Sequence, residues 1–184
     1  MTDYEIIELY FKRDEAASTE THNRYGNYLY VIANNILHHH QDSEECVNDT
    51  YYQAWNHIPP RRPDPLRCFL ANIVRNLAIN RYEYNHADKR DKGKNTILDE
   101  IEFMLPHNER LEDDVVFRDW INRFLSTLNQ EQRMIFVQRY YYCYDISEIA
   151  QYHKCSASKI KSVLFRVRKK LKKYQMDDGE KRIF

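Results

Sequence analysis

Six residues near the end of the chain recur at intervals of three and four, and their side chains are of kinds that bind nucleic acid. On a helix this spacing places them on one face. Hydroxyl and guanidinium groups there can reach base edges, and cations can reach phosphates. The pattern predicts a nucleic-acid-binding helix; a solvated basic helix end, whose cations suit the helix dipole, is the alternative. The six are Ser158, Lys161, Ser162, Phe165, Arg166 and Lys169.

A second group of cations and amides follows residue 60. Four of the five prolines lie in one short segment, which predicts a stiff loop, and Arg61, Arg62 and Arg67 are predicted to lie on it. A polar stripe comes next, on a predicted helix whose apolar residues face the other way. Asn and Arg read bases well, although polar helix faces are also common on proteins that bind none. The stripe consists of Asn72, Arg75, Asn76, Asn80 and Arg81.

An acidic patch precedes both groups. It contains Asp42, Glu44, Glu45 and Asp49, and the spacing of Asp42 and Glu45 predicts a capping box at a helix start. The patch is either a binding surface or a helix cap with solvated surface around it. The triplet His38–His40 is a poor metal site because consecutive helical residues point in different directions. No arrangement of Ser, His and Asp indicates an enzyme.

The elements that must position these groups are helices. With only three glycines, the sequence argues against turn-rich β folds and contains no glycine-rich phosphate loop. Apolar residues recur with helical spacing nearly throughout. Asp3, Asn129, Asp145 with Glu148, and Ser156 are predicted helix caps. A short helix after Asp145, a tight turn and the cationic helix form a helix-turn-helix pattern.

Periodicity fades and charge dominates between Asp91 and Glu112. We therefore predict an all-α protein of two small helical domains, over residues 1–90 and 113–176, joined by a flexible linker over 91–112 and followed by a tail over 177–184. No CxxC pair indicates a zinc site, and we expect no metal or cofactor. No signal peptide or membrane-spanning run is present, which favours the cytoplasm.

Net charge is zero, with 28 cations and 28 anions, yet it is unevenly distributed. Residues 61–94 carry nine cations against four anions, and residues 155–173 carry eight cations and no anion. Residues 41–60 carry four anions and neither Lys nor Arg, and residues 95–119 carry eight anions against two cations. The balance therefore does not exclude nucleic-acid binding. It predicts weak, salt-sensitive binding by the protein alone.

Five segments, in order, resemble three regions of the bacterial sigma-70 family. Residues 42–55, DSEECVNDTYYQAW, resemble its core-polymerase-binding region, and residues 69–81, FLANIVRNLAINR, resemble the helix that reads the −10 promoter element. Residues 133–140, 147–150 and 161–171 resemble the −35-reading domain. The likeness spans about residues 5–174. Two domains with a linker are similar to the extracytoplasmic-function (ECF) group of this family.

The resemblance assigns roles to the three groups. It implies that core RNA polymerase contacts the acidic segment. It also implies that −10 DNA is bound by the three loop arginines and by the stripe residues Asn72, Arg75, Asn76 and Asn80. It also implies that the cationic helix contacts the −35 element, and that an anti-sigma factor is a partner. No membrane insertion and no catalysis are expected. The implied polymerase contacts are Glu45, Asn48, Asp49, Tyr52 and Gln53.

Three positions depart from the family pattern. Cys143, before the helix-turn-helix, and Lys154, within its turn, stand where the family usually has Gly, and His153 replaces a typically apolar residue. If those turns need a positive φ, each non-glycine residue costs about 1 kcal/mol. We expect a reduced stability of the C-terminal domain or altered turns. A stand-alone helix-turn-helix regulator and an interaction protein that retains the fold are the alternatives to a sigma factor.

Overall fold

Helices make up the part of the chain that the structure describes, which confirms the all-α prediction. The computed structural model describes residues 1–86 and 112–177, and no strand occurs in these two ranges. The predicted linker and tail lie outside them, apart from Glu112 and Asp177. The described helices are α1 (Asp3–Phe11), α2 (Ala16–Leu37), α3 (His40–His57), α4 (Leu66–Asn85), α5 (Glu112–Ser126), α6 (Gln130–Tyr140), α7 (Ile146–Tyr152) and α8 (Ala157–Asp177).

Two compact units divide these helices, α1–α4 in the first and α5–α8 in the second. In the first unit α2 lies at the centre and contacts α1, α3 and α4, while α3 also packs on α4. Tyr10, Leu29 and Leu70 are completely buried there. The Tyr10 hydroxyl lies 2.9 Å from the Thr21 hydroxyl, so this polar group is hydrogen-bonded inside the core.

Gly26 allows α3 to approach α2 closely. It lies buried in the middle of α2, beside His22 and opposite Tyr51 of α3. A Cβ atom at this position would lie 2.9 Å from His22 Nδ1 and 3.3 Å from the Tyr51 hydroxyl. Those two groups are themselves 3.1 Å apart and hydrogen-bonded. A side chain at residue 26 would therefore displace this contact between α2 and α3.

In the second unit, α8 packs against α6 and α7 with one apolar stripe. The side chains of this stripe are all buried, as the sequence predicts. The ring of Tyr174 on α8 lies 5.7 Å from that of Trp120 and 5.5 Å from that of Phe124, both on α5. The buried stripe consists of Ile160, Val163, Leu164, Val167 and Leu171.

Three predicted helix starts in the second unit are confirmed. The Asn129 side chain accepts a hydrogen bond from the Gln132 amide at 2.9 Å. Asp145 and Glu148 form the complete capping box. The Ser156 hydroxyl accepts from the Lys159 amide at 3.2 Å. Local sequence decides these starts because each cap satisfies amides that the helix itself leaves unpaired.

Two predicted starts in the first unit are wrong. Thr2, not Asp3, caps α1, because Thr2 and Glu5 bond to each other's backbone amides. The helix α3 begins at His40, two residues before the predicted cap Asp42. The ring of His39 accepts the Asp42 amide at 3.3 Å and takes the capping role. Asp42 thereby lies in the first turn, where its charge still favours the helix dipole.

Both positions that depart from the family's usual glycines have left-handed backbones. φ is 56° at Cys143 and 49° at Lys154. At the end of α7 the Cys155 amide donates to the Ala150 carbonyl at 2.9 Å, and the Lys154 amide donates to the Gln151 carbonyl at 3.1 Å. This pair of bonds is the Schellman motif, in which glycine is favoured at the place that Lys154 occupies. Both turns therefore have the positive φ at which a non-glycine residue is strained.

We predict that Lys154→Gly raises the melting temperature of the C-terminal unit by a few degrees. Glycine removes a left-handed strain of about 1–2 kcal/mol, which exceeds the roughly 0.5–1 kcal/mol of extra chain entropy it gives the unfolded state. Lys154→Ala is the matched control, since it removes the charge and keeps the Cβ atom. Thermal unfolding followed by circular dichroism tests this. An unchanged or lower melting temperature for Lys154→Gly would contradict it.

Candidate nucleic-acid interface

The outward face of α8 brings together all six residues predicted from its spacing. Each is exposed, and Phe165 is 63% exposed although it is a large apolar residue. An open depression of about 550 Å³ lies on this face. Its lining contains five of the six predicted residues together with Arg168. Hydroxyls, cations and one aromatic ring therefore share a single accessible surface, with the core stripe on the other side of the helix.

The cations of α8 are not equivalent. Lys159 forms an ion pair with Glu131 of α6 at 2.7 Å, and its hydrogen bond lowers the pKa of Glu131. Lys170 donates to the Gln132 side chain at 3.2 Å. In the described ranges, Lys161 and Lys169 make no ion pair. The first two therefore hold α8 against α6, whereas the second two remain available to a phosphate group.

A polar contact inside the second unit accommodates His153. Its Nε2 atom lies 2.9 Å from Oε1 of the buried Gln138, and since that oxygen can only accept, the ring donates. Burial lowers the pKa of His153 and favours the neutral ring. In addition, Arg139 donates to the Tyr144 carbonyl at 2.7 Å. These contacts fix α6 and α7 relative to each other and thereby support α8.

The polar stripe on α4 is only partly as predicted. Asn72, Asn76 and Asn80 are exposed, but Arg75 is 3% exposed and faces the core. The buried side of α4 is centred on positions 70, 71, 74 and 78 rather than on the apolar positions 69, 73 and 77, which are only half-buried. Position 75 therefore falls on the inner side of the helix.

Arg75 and Arg67 both lie near Tyr28 of α2. Burial raises the pKa of Tyr28 to about 12, and the charges of these two arginines oppose that rise. The Arg67 guanidinium lies 5.7 Å from the centre of the Tyr28 ring. Arg67 also belongs to the first turn of α4 and not to the proline-rich loop as predicted.

The proline-rich loop is attached to α1 by Arg62. Its guanidinium forms an ion pair with Glu8 and lies 3.9 Å from the centre of the Phe11 ring. The hydrogen bond from Arg62 lowers the pKa of Glu8. Arg61, the neighbouring residue, is exposed. The two loop arginines thus differ: Arg62 fixes the loop to the helix beneath it, and Arg61 extends from its surface.

The acidic helix α3 presents four of its five predicted residues to solvent, and the fifth, Gln53, is half-buried. Cys46, Val47, Thr50 and Ala54 form its buried side. Tyr52 is 66% exposed. The exposed four are Glu45, Asn48, Asp49 and Tyr52.

An ion-pair cluster that sequence reasoning missed joins α3 to α4. Arg81 lies 2.9 Å from Glu45 and 3.4 Å from Asp42, and its hydrogen bond to Glu45 raises the pKa of Arg81. Asn85 donates to Asp42 at 2.8 Å. No local pattern could reveal these contacts, because they link residues about forty positions apart. They hold the start of the acidic helix against the end of the polar one.

Two further features, a metal site and a membrane-spanning helix, are absent from the described residues. Among the described residues, no group of three or more His, Cys, Asp and Glu side chains could hold a metal ion. His39 instead caps α3, and His40 Nδ1 lies 3.3 Å from Glu44 Oε2 on the same helix. None of the helices in the described ranges is both long and apolar enough to cross a bilayer.

Comparison with known proteins identifies sequence relatives of both units. Residues 21–87 match the family model of sigma-70 region 2, and residues 118–171 match that of sigma-70, region 4. The two matches together cover more than half of the chain. No curated protein is significantly similar in sequence. A solved structure of CnrH in complex with the cytosolic domain of CnrY is 19% identical, covering 96% of this chain and 98% of that chain, with a TM-score of 0.46.

We predict that Lys169→Ala weakens duplex-DNA binding by the free protein and reduces the slope of log K against log salt by about one. Lys169 is a cation available to phosphate, so its loss removes one released counterion. Lys159→Ala is the matched control because it removes the same charge from the same helix, but from an existing ion pair. Fluorescence anisotropy in a salt series measures both slopes. Equal effects of the two substitutions would contradict the assignment.

Proposed function

Because the chain belongs to the sigma-70 family and carries its regions 2 and 4, we propose that its three exposed polar faces are the surfaces by which it joins polymerase and promoter. Members of this family bind core RNA polymerase and direct it to promoters. They are transcription initiation factors without catalytic activity of their own. The pairing of regions 2 and 4 is typical of the ECF group. Particular side chains of this chain are proposed for each contact.

The α3 face is the proposed contact with core polymerase. This contact is supported by one observation. Four residues are exposed on a single helix face, within a segment that contains neither Lys nor Arg: Glu45, Asn48, Asp49 and Tyr52. Gln53 lies at its edge. A carboxylate-rich patch with an exposed tyrosine suits a basic protein partner, since charge complementarity steers association and aromatic residues dominate interface energies.

The −10 contact is proposed for the proline-rich loop and the outer face of α4. Arg61 is exposed on the loop, and Asn72, Asn76 and Asn80 are exposed along the helix. Amide groups donate and accept, which allows them to read the edges of bases in an opening duplex. Arg62 and Arg67 support this surface through their contacts with Glu8, Phe11 and Tyr28. Arg75 is left out because its side chain is buried.

The −35 contact is proposed for α8, used as the recognition helix of a helix-turn-helix. Lys161, Arg166 and Lys169 would contact phosphates or guanine edges, and Ser158, Ser162 and Phe165 would contact bases and the thymine methyl group. The open depression on this face supports the assignment, because five of these six residues line it. The capping of α7 and α8 by Asp145 and Ser156 gives the motif its geometry.

The remaining assignments complete the proposal. Residues 1–90 would form the polymerase- and −10-binding domain, and residues 113–176 the −35-binding domain, with residues 91–112 as linker. The protein would act in the cytoplasm, where the chromosome is, and without a cofactor. An anti-sigma factor is the expected inhibitor, and the exposed faces of α3, α4 or α8 are the surfaces that it would cover.

We predict that Asp49→Arg abolishes binding to core polymerase while leaving duplex-DNA binding intact. A reversed charge at the centre of the acidic face would place two cations together at a basic contact, and like charges in an interface cost several kcal/mol. Co-migration with purified core enzyme in native gels measures the first effect, and anisotropy the second.

Glu44→Arg provides the matched control for this charge reversal. Glu44 is exposed on the same helix but outside the proposed contact, where it pairs with His40. It should leave core binding nearly unchanged. If Asp49→Arg retained normal core binding, or if the unmodified protein bound DNA and never joined polymerase, a stand-alone helix-turn-helix regulator would replace this proposal.

A further inference from the structure

A cavity of about 220 Å³ opens between α3 and α4, and none of the assignments above gives it an occupant. It lies where the proposed polymerase face and the proposed −10 face meet. Its walls contain one aromatic ring, one amide, one aliphatic side chain and one carboxylate, together with a guanidinium and a thiol. The residues that line it are Cys46, Asp49, Leu77, Asn80, Arg81 and Tyr84.

Tyr84 contributes an exposed aromatic ring to the lining of this cavity. It is 80% exposed, more than any other large apolar or aromatic residue among the described ones. Its helix turn is nevertheless fixed, because Asn85 donates to Asp42 at 2.8 Å and the rings of Tyr82 and His86 stack at 4.0 Å. The turn that carries the ring is therefore ordered, and the exposed ring is accessible for stacking on a ligand.

The charges around the cavity argue against an anionic occupant. Asp49 contributes a carboxylate to the wall. Arg81 contributes a cation, but Glu45 at 2.9 Å and Asp42 at 3.4 Å already compensate it. A phosphate group would therefore meet more negative than positive charge. A neutral planar group avoids this repulsion and can still stack on the Tyr84 ring.

The polar and apolar groups match the needs of a nucleobase. An unstacked base is held by stacking against aromatic or apolar side chains and by hydrogen bonds to its edge. Tyr84 and Leu77 supply the first kind of contact. Asn80 supplies both a donor and an acceptor for the second, and it is exposed on the face proposed to bind −10 DNA.

We propose that this cavity binds one unstacked nucleobase of the opened promoter strand, with the Tyr84 ring against its face and the Asn80 amide at its edge. The inference rests on the proposed function, because it extends the −10 surface toward the end of α4. Asn80 lies 14 residues after Leu66, or about 21 Å along the helix. The site is thus separate from the proline-rich loop, and the strand would be held at both ends of one helix.

Single-stranded DNA containing a fluorescent base tests the proposal on the free protein, because Tyr84 is exposed there. The probe is a 15-nucleotide thymidine oligomer with one central 2-aminopurine, titrated at low salt. Stacking on Tyr84 should quench the probe. Tyr84→Leu should lose most of the quenching and bind at least about fivefold more weakly, whereas Tyr84→Phe should retain both.

Tyr4→Leu is the control, since Tyr4 of α1 is similarly exposed, at 68%, and lies outside the cavity. It should behave like the unmodified protein. Equal quenching and affinity in Tyr84→Leu, or no quenching with the unmodified protein, would overturn the proposal.

Core-polymerase binding by the same variants distinguishes a failure of the base site from a failure of the proposed function. If Tyr84→Leu lost core binding and kept single-strand binding, the cavity would belong to the polymerase interface and the base site would be wrong. If the unmodified protein failed to join core polymerase, the proposed function itself would fail, whatever the oligomer showed.

Discussion

Burial of one apolar stripe on each long helix is the constraint on which the rest of this molecule depends. On α8 the stripe contains Ile160 and Val167, which are completely buried, together with three nearly buried neighbours. Burying each such side chain contributes about 1.5–3 kcal/mol, whereas an exposed ion pair contributes about 0–1 kcal/mol. The core therefore decides how α8 is rotated. The outward residues, and with them the proposed −35 surface, follow from that rotation.

A chain of zero net charge can bind DNA because its cations and anions lie in different segments. Segregation along the sequence places cations on α8 and around the start of α4, and anions on α3. Within the described residues, part of the positive charge is already used by internal partners, as in the pairs Lys159–Glu131, Arg81–Glu45 and Arg62–Glu8. The free protein thus offers fewer cations to phosphate than its sequence contains. Weak, salt-sensitive binding without polymerase is consistent with this.

Sequence reasoning worked at most places where a local rule decides the structure. The exceptions are the starts of α1 and α3, where Thr2 and His39 take the capping roles expected of Asp3 and Asp42. The α8 face and the caps at Asn129, Asp145 and Ser156 depend on contacts within a few residues, so their spacing was sufficient. It failed at Arg75, because packing against neighbouring helices decides which side of α4 is buried. The Arg75 guanidinium consequently lies near Tyr28 of α2. It also could not predict the clusters around Arg81 and Arg62, whose partners lie far away in sequence.

Glycine illustrates both outcomes. The resemblance to the sigma-70 family marked Cys143 and Lys154 as replacements of glycine, and the positive φ at both positions agrees with that prediction. Arg13 and His38 also have positive φ, without any such signal in the sequence. Gly26, by contrast, serves close helix packing in the middle of α2 rather than a turn.

In the proposed function, the three exposed faces act together as one promoter-directing factor. Run-off transcription with purified core enzyme, on genomic fragments that the mixture protects, tests it most directly. We expect transcripts that begin at discrete start sites, each preceded by shared −35 and −10 sequences, and only when both core enzyme and this protein are present. Failure to join core polymerase, or transcription without promoter specificity, would contradict it.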